Sequence, residues 1–462
     1  MAANHKMDLT KGSIPVQIIK FMVPVALTLL LQTVFHAADV AIVGRFSENA
    51  EAAVAAVGAS GPITNLLLTI FMGMGAGVNV VIAQFMGARD SQGASRAVHT
   101  SIALALVCGV ILVIIGAIFG RTMLGVIYVP ENIMDDALLY FLVTLIGMPG
   151  ILVYNFGCAI LRSVGDTRQA LKLLTISGIV NVLLNMLFVI VFKIDVLGVA
   201  LATMISKFLA MFLILRALQQ MHGACRFYPG KLRRIDFSIL RKLLYNGIPA
   251  GIQSACFSFA NILVAGTINS FGASALAAST VISFAEGGLT NAVSASLHQT
   301  MISFAGQNYG AKKYSRIWTS LKYCVIYALV IGSIMGISSY AFLHVWVPWF
   351  INEPTAEVME FARIRALYLL LPCAISILQG ISTGTLRGLG YSLYPTFVTL
   401  FGVCIFRVVW ILWVFPKYKS FDCVILNFPI TYILIILFCS FGIFYAYRKL
   451  QKTSRNSSDL CA

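Results

Sequence analysis

Charged residues are scarce in this sequence. They make up 11% of the 462 residues, whereas soluble globular proteins average roughly 25%. Acidic residues are the rarest, with 17 Asp and Glu against 33 Lys and Arg, and 59% of the chain is apolar. The mean hydropathy is +0.89. This composition excludes an ordinary soluble enzyme and a disordered chain. It also excludes a nucleic-acid-binding domain, although a net charge of +16 would suggest one in a soluble protein.

The motifs that would define an enzyme are missing as well. The ten cysteines form no C-x-x-C pair, so the sequence offers no zinc site. Neither a G-x-x-x-x-G-K-S/T loop nor an H-E-x-x-H helix is present, which excludes an ATPase activity of its own and a metalloprotease site. No selectivity filter of a channel is readable either. We therefore expect no enzyme, no cofactor and no nucleic-acid partner.

Long apolar runs dominate the chain instead. A transmembrane helix needs about 20 apolar residues, and a window of that length finds about twelve segments. The predicted fold class is an all-α membrane protein of twelve transmembrane helices. We expect these helices near residues 15–43, 52–84, 97–120, 137–160, 170–192, 197–218, 240–269, 275–306, 318–346, 358–385, 394–415 and 423–447.

The chain reads as two copies of one half. Similar short motifs recur in the same order at a spacing of 223 to 225 residues, which is the signature of an internal repeat. Each copy holds six helices, so both enter the membrane from the same side, and we expect two six-helix lobes related by a parallel pseudo-two-fold repeat. The recurring pairs are Pro24 with Pro249, Gln84 with Gln307, Pro149 with Pro372, and Arg162 with Arg387.

The loops predict the domain organisation and the topology. We expect an N-terminal lobe over 1–218, a basic cytoplasmic linker over 219–239, a C-terminal lobe over 240–447 and a cytoplasmic tail over 448–462. Most Lys and Arg residues lie in the linker, the tail and alternate loops, and cytoplasmic loops collect such residues. We therefore predict a multi-pass protein of the plasma membrane (the inner membrane of a bacterium) with both termini in the cytoplasm.

Four segments carry a resemblance to a known family. They are Pro24 with the run Asp39–Gly44, the segment A-Q-F-M-G-A-R-D at 83–90, L-R-S-V-G-D-T-R at 161–168, and G-Q-N-Y-G-A-K-K-Y-S-R at 306–316. In this order they resemble the multidrug and toxic compound extrusion (MATE) family of cation-coupled efflux transporters. The resemblance covers residues 13–447. It implies twelve helices, export of organic cations in exchange for H⁺ or Na⁺, and a hinge at Pro24.

The resemblance also implies a cation-coupling site in the first lobe. The matching positions are Asp39 in helix 1, Asn181 and Asn185 in helix 5, and Thr203 in helix 6. The sequence departs from one branch of the family, which has Asp at the position of Asn185. It departs from another branch, which uses acids in helices 7 and 10: the helix 7 position is apolar, near Phe257, and helix 10 has no acid in mid-membrane.

The acidic residues inside the predicted spans point to the same region. Asp39 and Glu286 are the two that lie away from the span ends, and a charge at the bilayer centre costs about 2.5–3.5 kcal/mol, so each is a functional hypothesis with an internal ion pair as the alternative. At the rise of a helix, Asp39, Asn185 and Thr203 lie about 8, 12 and 10 Å below the outer ends of their helices. Their oxygens, with those of Asn181 one turn away, suit a hard cation. Hydrogen bonding between helices is the alternative role for Asn and Thr.

Two cations inside the spans could neutralise these acids. Lys207 in helix 6 could pair with Asp39, and Arg407 in helix 11 could pair with Glu286. The second pair would form a polar site in the second lobe. The spacing along a helix leaves open whether either pair forms.

Together these features predict a secondary active antiporter. It would export amphipathic, often cationic, small molecules in exchange for H⁺ or Na⁺ by alternating access, with the coupling ion as its sole inorganic requirement. A flippase for a lipid-linked glycan of the same superfamily is the alternative, and it would need a strongly cationic central cavity. We expect a monomer in the lipid bilayer. Because Asn185 leaves one carboxylate in the first-lobe site, we favour H⁺ as the coupling ion.

Overall fold

Twelve long helices in chain order make up most of the part of the chain that the structure describes. The computed structural model describes residues 7–46, 50–126, 129–232 and 234–459, and these ranges contain no β-strand. Each predicted span overlaps one helix, which confirms the fold class. The helices are α1 (Ile14–Phe46), α2 (Ala50–Gly87), α3 (Ser91–Val126), α4 (Glu131–Ile146 and Met148–Ser163), α5 (Thr167–Met186, then Leu187–Val191), α6 (Asp195–Gln220), α7 (Phe237–Asn269), α8 (Ala273–Ala285, Glu286–Thr290 and Asn291–Gly310), α9 (Tyr314–Ala341), α10 (Ala356–Leu369 and Cys373–Gly388), α11 (Leu393–Tyr418) and α12 (Phe421–Asp459).

Eleven of these helices are long and apolar enough to cross a membrane. Ten pass as single helices, and α4 passes as a pair of segments bent by 44°. Helix α8 is the exception, because its sequence is interrupted by Ser, Thr, Asn and Gly residues. Polar residues at such density inside a span are tolerated where they face protein or a water-filled cavity rather than lipid.

Prolines break the same helix in each half. Helix α4 bends at Gly147, and Pro149 follows as the second residue of its next segment. Helix α10 breaks between Leu369 and Cys373, with Pro372 directly before the new segment. Proline lacks a backbone N–H and fits the first turn of a helix, so it ends one segment and begins another. The two prolines that mark the repeat in sequence therefore mark it in the backbone too.

Left-handed residues end the equivalent helices of both halves. Arg89 and Lys312 follow α2 and α8 with φ of 57° and 56°, and Gly165 and Gly390 follow α4 and α10 with φ of 80° and 90°. Lys193 and Lys419 follow α5 and α11 with φ of 53° and 46°. A left-handed residue after the last turn is a common helix terminator. The backbone therefore repeats at the spacing that the sequence motifs predict.

The chain forms two compact units. The first unit comprises Leu27–Gly251 with Met7, and the second comprises Asp8–Ala26 with the chain from Ile252 onward. The change from one unit to the other falls inside α1 and α7, a few residues after Pro24 and Pro249. The predicted lobe boundaries at 218 and 240 follow the linear order of the helices and stay a prediction.

Glycines allow two helices of the first unit to lie in close contact. A methyl group on Gly73 of α2 would lie 2.5 Å from the backbone nitrogen of Gly251 in α7. One turn away, a methyl group on Gly77 would lie 2.6 Å from the backbone nitrogen of Gly247. Small residues at matched positions let two helix backbones approach, which is a common way for membrane helices to pack. These glycines bring the first part of α7 against α2.

The G-Q-N-Y-G-A-K-K-Y-S-R motif holds the segment before α1 in the second unit. Backbone groups outside a helix need partners when they are buried, and Leu9–Gly12 finds them in this motif. Arg316 alone donates to the carbonyl oxygens of Gly12, Leu9 and Lys11 at 3.0, 3.2 and 3.1 Å. The other contacts are Leu9 N–H to Gln307 Oε1 (3.1 Å), Asn308 Nδ2 to Leu9 O (3.2 Å) and Lys313 Nζ to Thr10 O (2.8 Å).

Candidate functional site

A carboxylate and two amides meet in the first unit, at three helices. Asp39 lies in the second half of α1, and Asn185 of α5 donates from Nδ2 to its Oδ1 at 2.5 Å. Asn181, one turn earlier on α5, accepts from the same Nδ2 at 3.5 Å and donates to the hydroxyl of Ser206 on α6 at 3.2 Å. Asn181 is 6% exposed and Asn185 is fully buried. The structure therefore brings Asp39, Asn181 and Asn185 together, and a proton or a cation could be exchanged at this carboxylate.

Thr203 contributes to this site in an unexpected way. Its backbone carbonyl, not its hydroxyl, accepts a hydrogen bond from Ser206 Oγ at 2.9 Å. The Thr203 hydroxyl and Asn185 Oδ1 are buried and have no hydrogen-bond partner among the described residues. Buried oxygens without partners are costly, so both are available to a donor or to a cation. Ser206 is the residue that sequence reasoning missed, although it lies three positions after Thr203, on the same face of α6.

Lys207 is a charged neighbour of Asp39, not its direct partner. The described residues contain no ion pair between the two side chains, although Lys207 is close enough to act on Asp39 electrostatically. Its side chain lies against the bend of α4, because a methyl group on Gly147 would come within 2.9 Å of Lys207 Cδ. Asn185, and not Lys207, is therefore the direct partner of the Asp39 carboxylate, and Lys207 acts on this carboxylate electrostatically at longer range.

Pro24, the predicted hinge, lies within a continuous helix. Helix α1 runs from Ile14 to Phe46 with Pro24 inside it. A proline removes one backbone hydrogen bond and crowds the preceding turn, which is compatible with a fixed kink as well as with a hinge. The hinge stays a prediction.

The second unit has its own polar network. Glu286, in the wide turn of α8, lies 3.7 Å from Arg365 of α10, and Arg365 also donates to Ser283 at 2.8 Å. Arg407 of α11 does not bond Glu286. It donates to Asn261 of α7 at 2.8 Å and to Thr431 of α12 at 3.3 Å. Glu286 therefore pairs with Arg365. It does not pair with Arg407, the partner that the sequence offered as one alternative.

Arg365 is the second residue that sequence reasoning missed. It is 7% exposed and lies inside the predicted span 358–385. A basic residue within an apolar span is a functional signal for the same reason as an acidic one. The signal for Arg365 is therefore present in the sequence, beside those for Asp39, Glu286 and Arg407.

Both networks join the same three helices of their halves. In the first unit, α1, α5 and α6 contribute Asp39, the two asparagines and Ser206. In the second, the equivalent α7, α11 and α12 contribute Asn261, Arg407 and Thr431. Asn181 and Arg407 are 226 positions apart, as are Lys193 and Lys419 at the ends of the same helices. The repeat preserves the place of the network and changes its charge.

A cavity of about 700 Å³ lies within the second unit. Most of its lining residues are polar, and they include Glu286, Arg365 and Asn261, whereas Phe257, Phe428 and Tyr432 supply aromatic surface. The guanidinium of Arg407 lies 4.3 Å from the ring centre of Phe428. The described residues hold no group of three or more His, Cys, Asp and Glu side chains suited to a metal ion.

The repeated helices, the apolar spans and a polar cavity inside a helical unit define a polytopic membrane transporter. The family model described as MatE matches residues 24–187 and again 249–413. These two matches cover more than half of the chain, so the protein belongs to the MatE family of multidrug efflux transporters. The two matches begin 225 residues apart, at the two prolines of the predicted repeat.

Relatives and solved structures agree with this assignment. The "Probable multidrug resistance protein YoeA" of Bacillus subtilis is 28% identical over 83% of each chain. The "FAD transporter" of Shewanella oneidensis is 26% identical, covering 70% of this chain and 71% of its own. An outward-facing MATE family transporter superposes with a TM-score of 0.86 at 20% identity, covering 98% of this chain and 100% of its own. A Pyrococcus furiosus transporter, described as having a binding pocket of reverse polarity, gives 0.81 at 19% identity over 98% and 99%.

Proposed function

We propose that the protein is a secondary active antiporter. It exports amphipathic, often cationic, small molecules in exchange for an inward-moving ion by alternating access. The observation that carries the proposal is Asp39, an ionisable residue within α1 whose carboxylate accepts a hydrogen bond from the buried amide of Asn185 at 2.5 Å. A charge in such a place is costly unless it binds something. An exchangeable ion gives that carboxylate a function.

We propose H⁺ as the coupling ion. A proton neutralises Asp39 without further ligands, whereas a hard metal cation is stable with several oxygen ligands around it. As placed, Asn185 turns its amide N–H towards Asp39. To bind Na⁺, this amide would have to rotate so that Oδ1, which has no partner among the described residues, faces the ion. Asp39 is also the sole carboxylate in the described network, so the attraction for Na⁺ is weaker than with two acids.

Coupling requires the ion to bind the two access states differently, because a ligand with equal affinity for both shifts neither. Asp39 and its partners come from three helices, so a change in the packing of α1, α5 and α6 would change the number of groups that stabilise its charge. Proton release would then favour one packing and proton uptake the other.

The proposal is tested in proteoliposomes that contain the purified protein and a fluorescent cationic dye. A pH gradient without Na⁺ should drive dye transport, and an Na⁺ gradient at equal pH should not. Transport that requires Na⁺, or that ignores both gradients, would contradict the proposal. A saturable Na⁺ effect that disappears in Asn181→Ala would replace H⁺ by Na⁺ as the coupling ion.

The alternative of a glycan-lipid flippase receives less support. A pyrophosphate would need several uncompensated cations in one cavity. The cavity of the second unit offers fewer, because Glu286 lies 3.7 Å from Arg365 and only one of the two guanidinium groups of the region, Arg365 and Arg407, is left in excess. The antiporter is therefore the function that the described residues support best.

A further inference from the structure

We propose that the cavity of the second unit binds amphipathic molecules through an anionic group, a carboxylate, which is received by Arg365. The ring system of the same molecule would lie against Phe257 and Phe428. This inference rests on the proposed transport function in one respect, that the cavity is taken as part of the route of a transported molecule. It adds to that function the group, Arg365, that would receive the carboxylate of a zwitterionic or anionic molecule.

Basic groups outnumber acidic groups around the cavity. Glu286 is the one acid among the described lining residues, and two guanidinium groups belong to the same region. Arg365 lines the cavity directly, and Arg407 lies next to the lining residues Asn261 and Phe428. Arg365 and Arg407 are 7% and 1% exposed. Buried charges are normally paired, so one carboxylate for two buried arginines leaves the region with one positive charge in excess.

The pairing of Glu286 with Arg365 is also loose. Their closest atoms are 3.7 Å apart, whereas a charge-assisted hydrogen bond between a guanidinium and a carboxylate measures about 2.7–2.9 Å. Arg365 donates from Nη2 to Ser283 at 2.8 Å, and its other amino group, Nη1, has no hydrogen-bond partner among the described residues. A carboxylate binds most strongly to two N–H groups of one guanidinium edge. Arg365 therefore retains donors for a second carboxylate.

The aromatic and neutral polar residues of the lining suit the ring system and the uncharged polar groups of such a molecule. The cavity volume of about 700 Å³ falls within the roughly 300–1,000 Å³ of pockets for drug-sized ligands. Phe257 and Phe428 offer ring faces at the cavity wall, and Ser279, Thr280 and Gln379 offer hydroxyl and amide groups. The polar sequence of α8, which sets it apart from the other spans, is explained by this wall, since α8 contributes many of its residues.

A matched pair of dyes tests the inference. Tetramethylrhodamine carries a free carboxylate, and its methyl ester keeps the same ring system but replaces this negative charge by a small neutral ester group. Fluorescence anisotropy with the full-length protein in detergent gives both dissociation constants without any ion gradient. We expect the wild type to bind the free acid about tenfold more tightly than the ester, as one charge-assisted contact would give.

Two variants test which residues cause the tighter binding of the free acid. Arg365→Gln should make the two dyes bind equally, because the receiving guanidinium is gone. Glu286→Gln should strengthen binding of the free acid several-fold and leave the ester little changed, because the competing carboxylate is removed. Arg363→Gln is the matched control, since this exposed arginine lies two positions away on α10 and outside the cavity lining. It should keep the wild-type preference.

Equal binding of both dyes by the wild type would overturn the inference, and so would a preference that survives Arg365→Gln. If Arg365→Gln does not fold, Glu286→Gln decides alone, because a purely structural ion pair predicts no gain in affinity for the acid. Failure of the proposed antiport shows differently: gradient-driven transport would be absent while the acid preference remains. Transport of the ester without an acid preference would refute this inference and leave the antiport intact.

Discussion

The two units contain a polar network at the same place and with opposite charge. In the first, the amide of Asn185 on α5 donates to the carboxylate of Asp39 and, over a longer distance, to Asn181. In the second, the guanidinium of Arg407 on α11 is held by the amide of Asn261 and the hydroxyl of Thr431. The difference teaches that the fold specifies where three helices exchange hydrogen bonds, whereas single substitutions specify the sign of the charge there. The same helices of the repeat therefore carry an acid in one unit and a guanidinium in the other.

The largest expected effect separates the two networks by function. Asp39→Asn removes the negative charge from the first network, and we expect gradient-driven efflux to be lost, because a neutral amide cannot release and rebind a proton. Efflux is measured in proteoliposomes at equal protein content, with folding checked by size-exclusion chromatography. Asp135→Asn, in an exposed acid of α4, serves as the control and should transport normally. Unchanged efflux in Asp39→Asn would remove Asp39 from the coupling mechanism.

The second prediction strengthens the negative charge of the first network. Asn185→Asp places a second carboxylate against Asp39, which should raise the affinity for Na⁺, because two acids attract a cation more strongly than one. We expect Na⁺ to slow dye binding or transport in a saturable manner in this variant and to have little effect in the wild type. An Na⁺ titration at fixed pH measures it. An identical Na⁺ response in both proteins would mean that Asn185 does not select the ion.

The third prediction compares how much each of the two networks contributes to the stability of the folded protein. Arg407→Ala deletes two hydrogen bonds and the contact with the Phe428 ring, whereas Asn181→Ala deletes the hydrogen bond to Ser206 and the weaker one from Asn185. We expect about 2–3 kcal/mol of destabilisation for Arg407→Ala and about 1 kcal/mol for Asn181→Ala. Thermal unfolding in detergent ranks the two. The reverse order would show that the buried guanidinium is held at a net cost.

The fourth prediction concerns the starts of α1 and α7, which are held differently. The chain before α1 depends on Arg316, which donates to three carbonyl oxygens. Arg316→Ala should therefore increase hydrogen exchange and proteolysis over residues 9–12, and Arg316→Lys should recover part of the protection because it restores one donor group. Exchange measured by mass spectrometry reports the segment directly. Equal protection in wild type and Arg316→Ala would contradict the anchoring role.

The smallest effect is expected at the start of α7. Asp236 accepts hydrogen bonds from the backbone N–H groups of Ile239 and Ser238 and pairs with Arg96 at 3.0 Å. These contacts, that of Ile239 first, hold the pKa of Asp236 below its usual range. A carboxylate with a lowered pKa stabilises the folded state above its unfolded pKa of about 3.9 and loses this contribution as the pH falls through the folded value.

The start of α7 should therefore exchange faster on acidification below about pH 4. Hydrogen exchange of residues 237–240 at several pH values measures this, after correction for the intrinsic rate. In Asp236→Asn, the exchange rate of residues 237–240 should depend little on pH. It should stay close to the rate that the wild type shows at acidic pH. A start of α7 that is insensitive to pH in the wild type would mean that the cap contributes nothing measurable.

The sequence predicted the secondary structure and the repeat well, and the site in part. Apolar runs of membrane length identify helices because a lipid environment forces each span to satisfy its own backbone. The depth of Asp39, Asn185 and Thr203 along their helices followed from the rise per residue, and the first two do meet. Depth does not specify rotation about the helix axis. The hydroxyl of Thr203 accordingly misses the network that Ser206 joins.

By itself, the sequence determined the class of protein, the twelve helices, their duplication and the acid on α1. These features depend on composition and on order along the chain, which a linear sequence contains in full. The tertiary structure alone decided that Glu286 pairs with Arg365 and not with Arg407, and that Lys207 leaves Asp39 to Asn185. Partners on different helices are chosen by the rotation, bending and packing of those helices. The break at Gly147 and the wide turn at Glu286 interrupt the regular 3.6-residue repeat, so the direction of the side chains that follow does not come from sequence spacing alone.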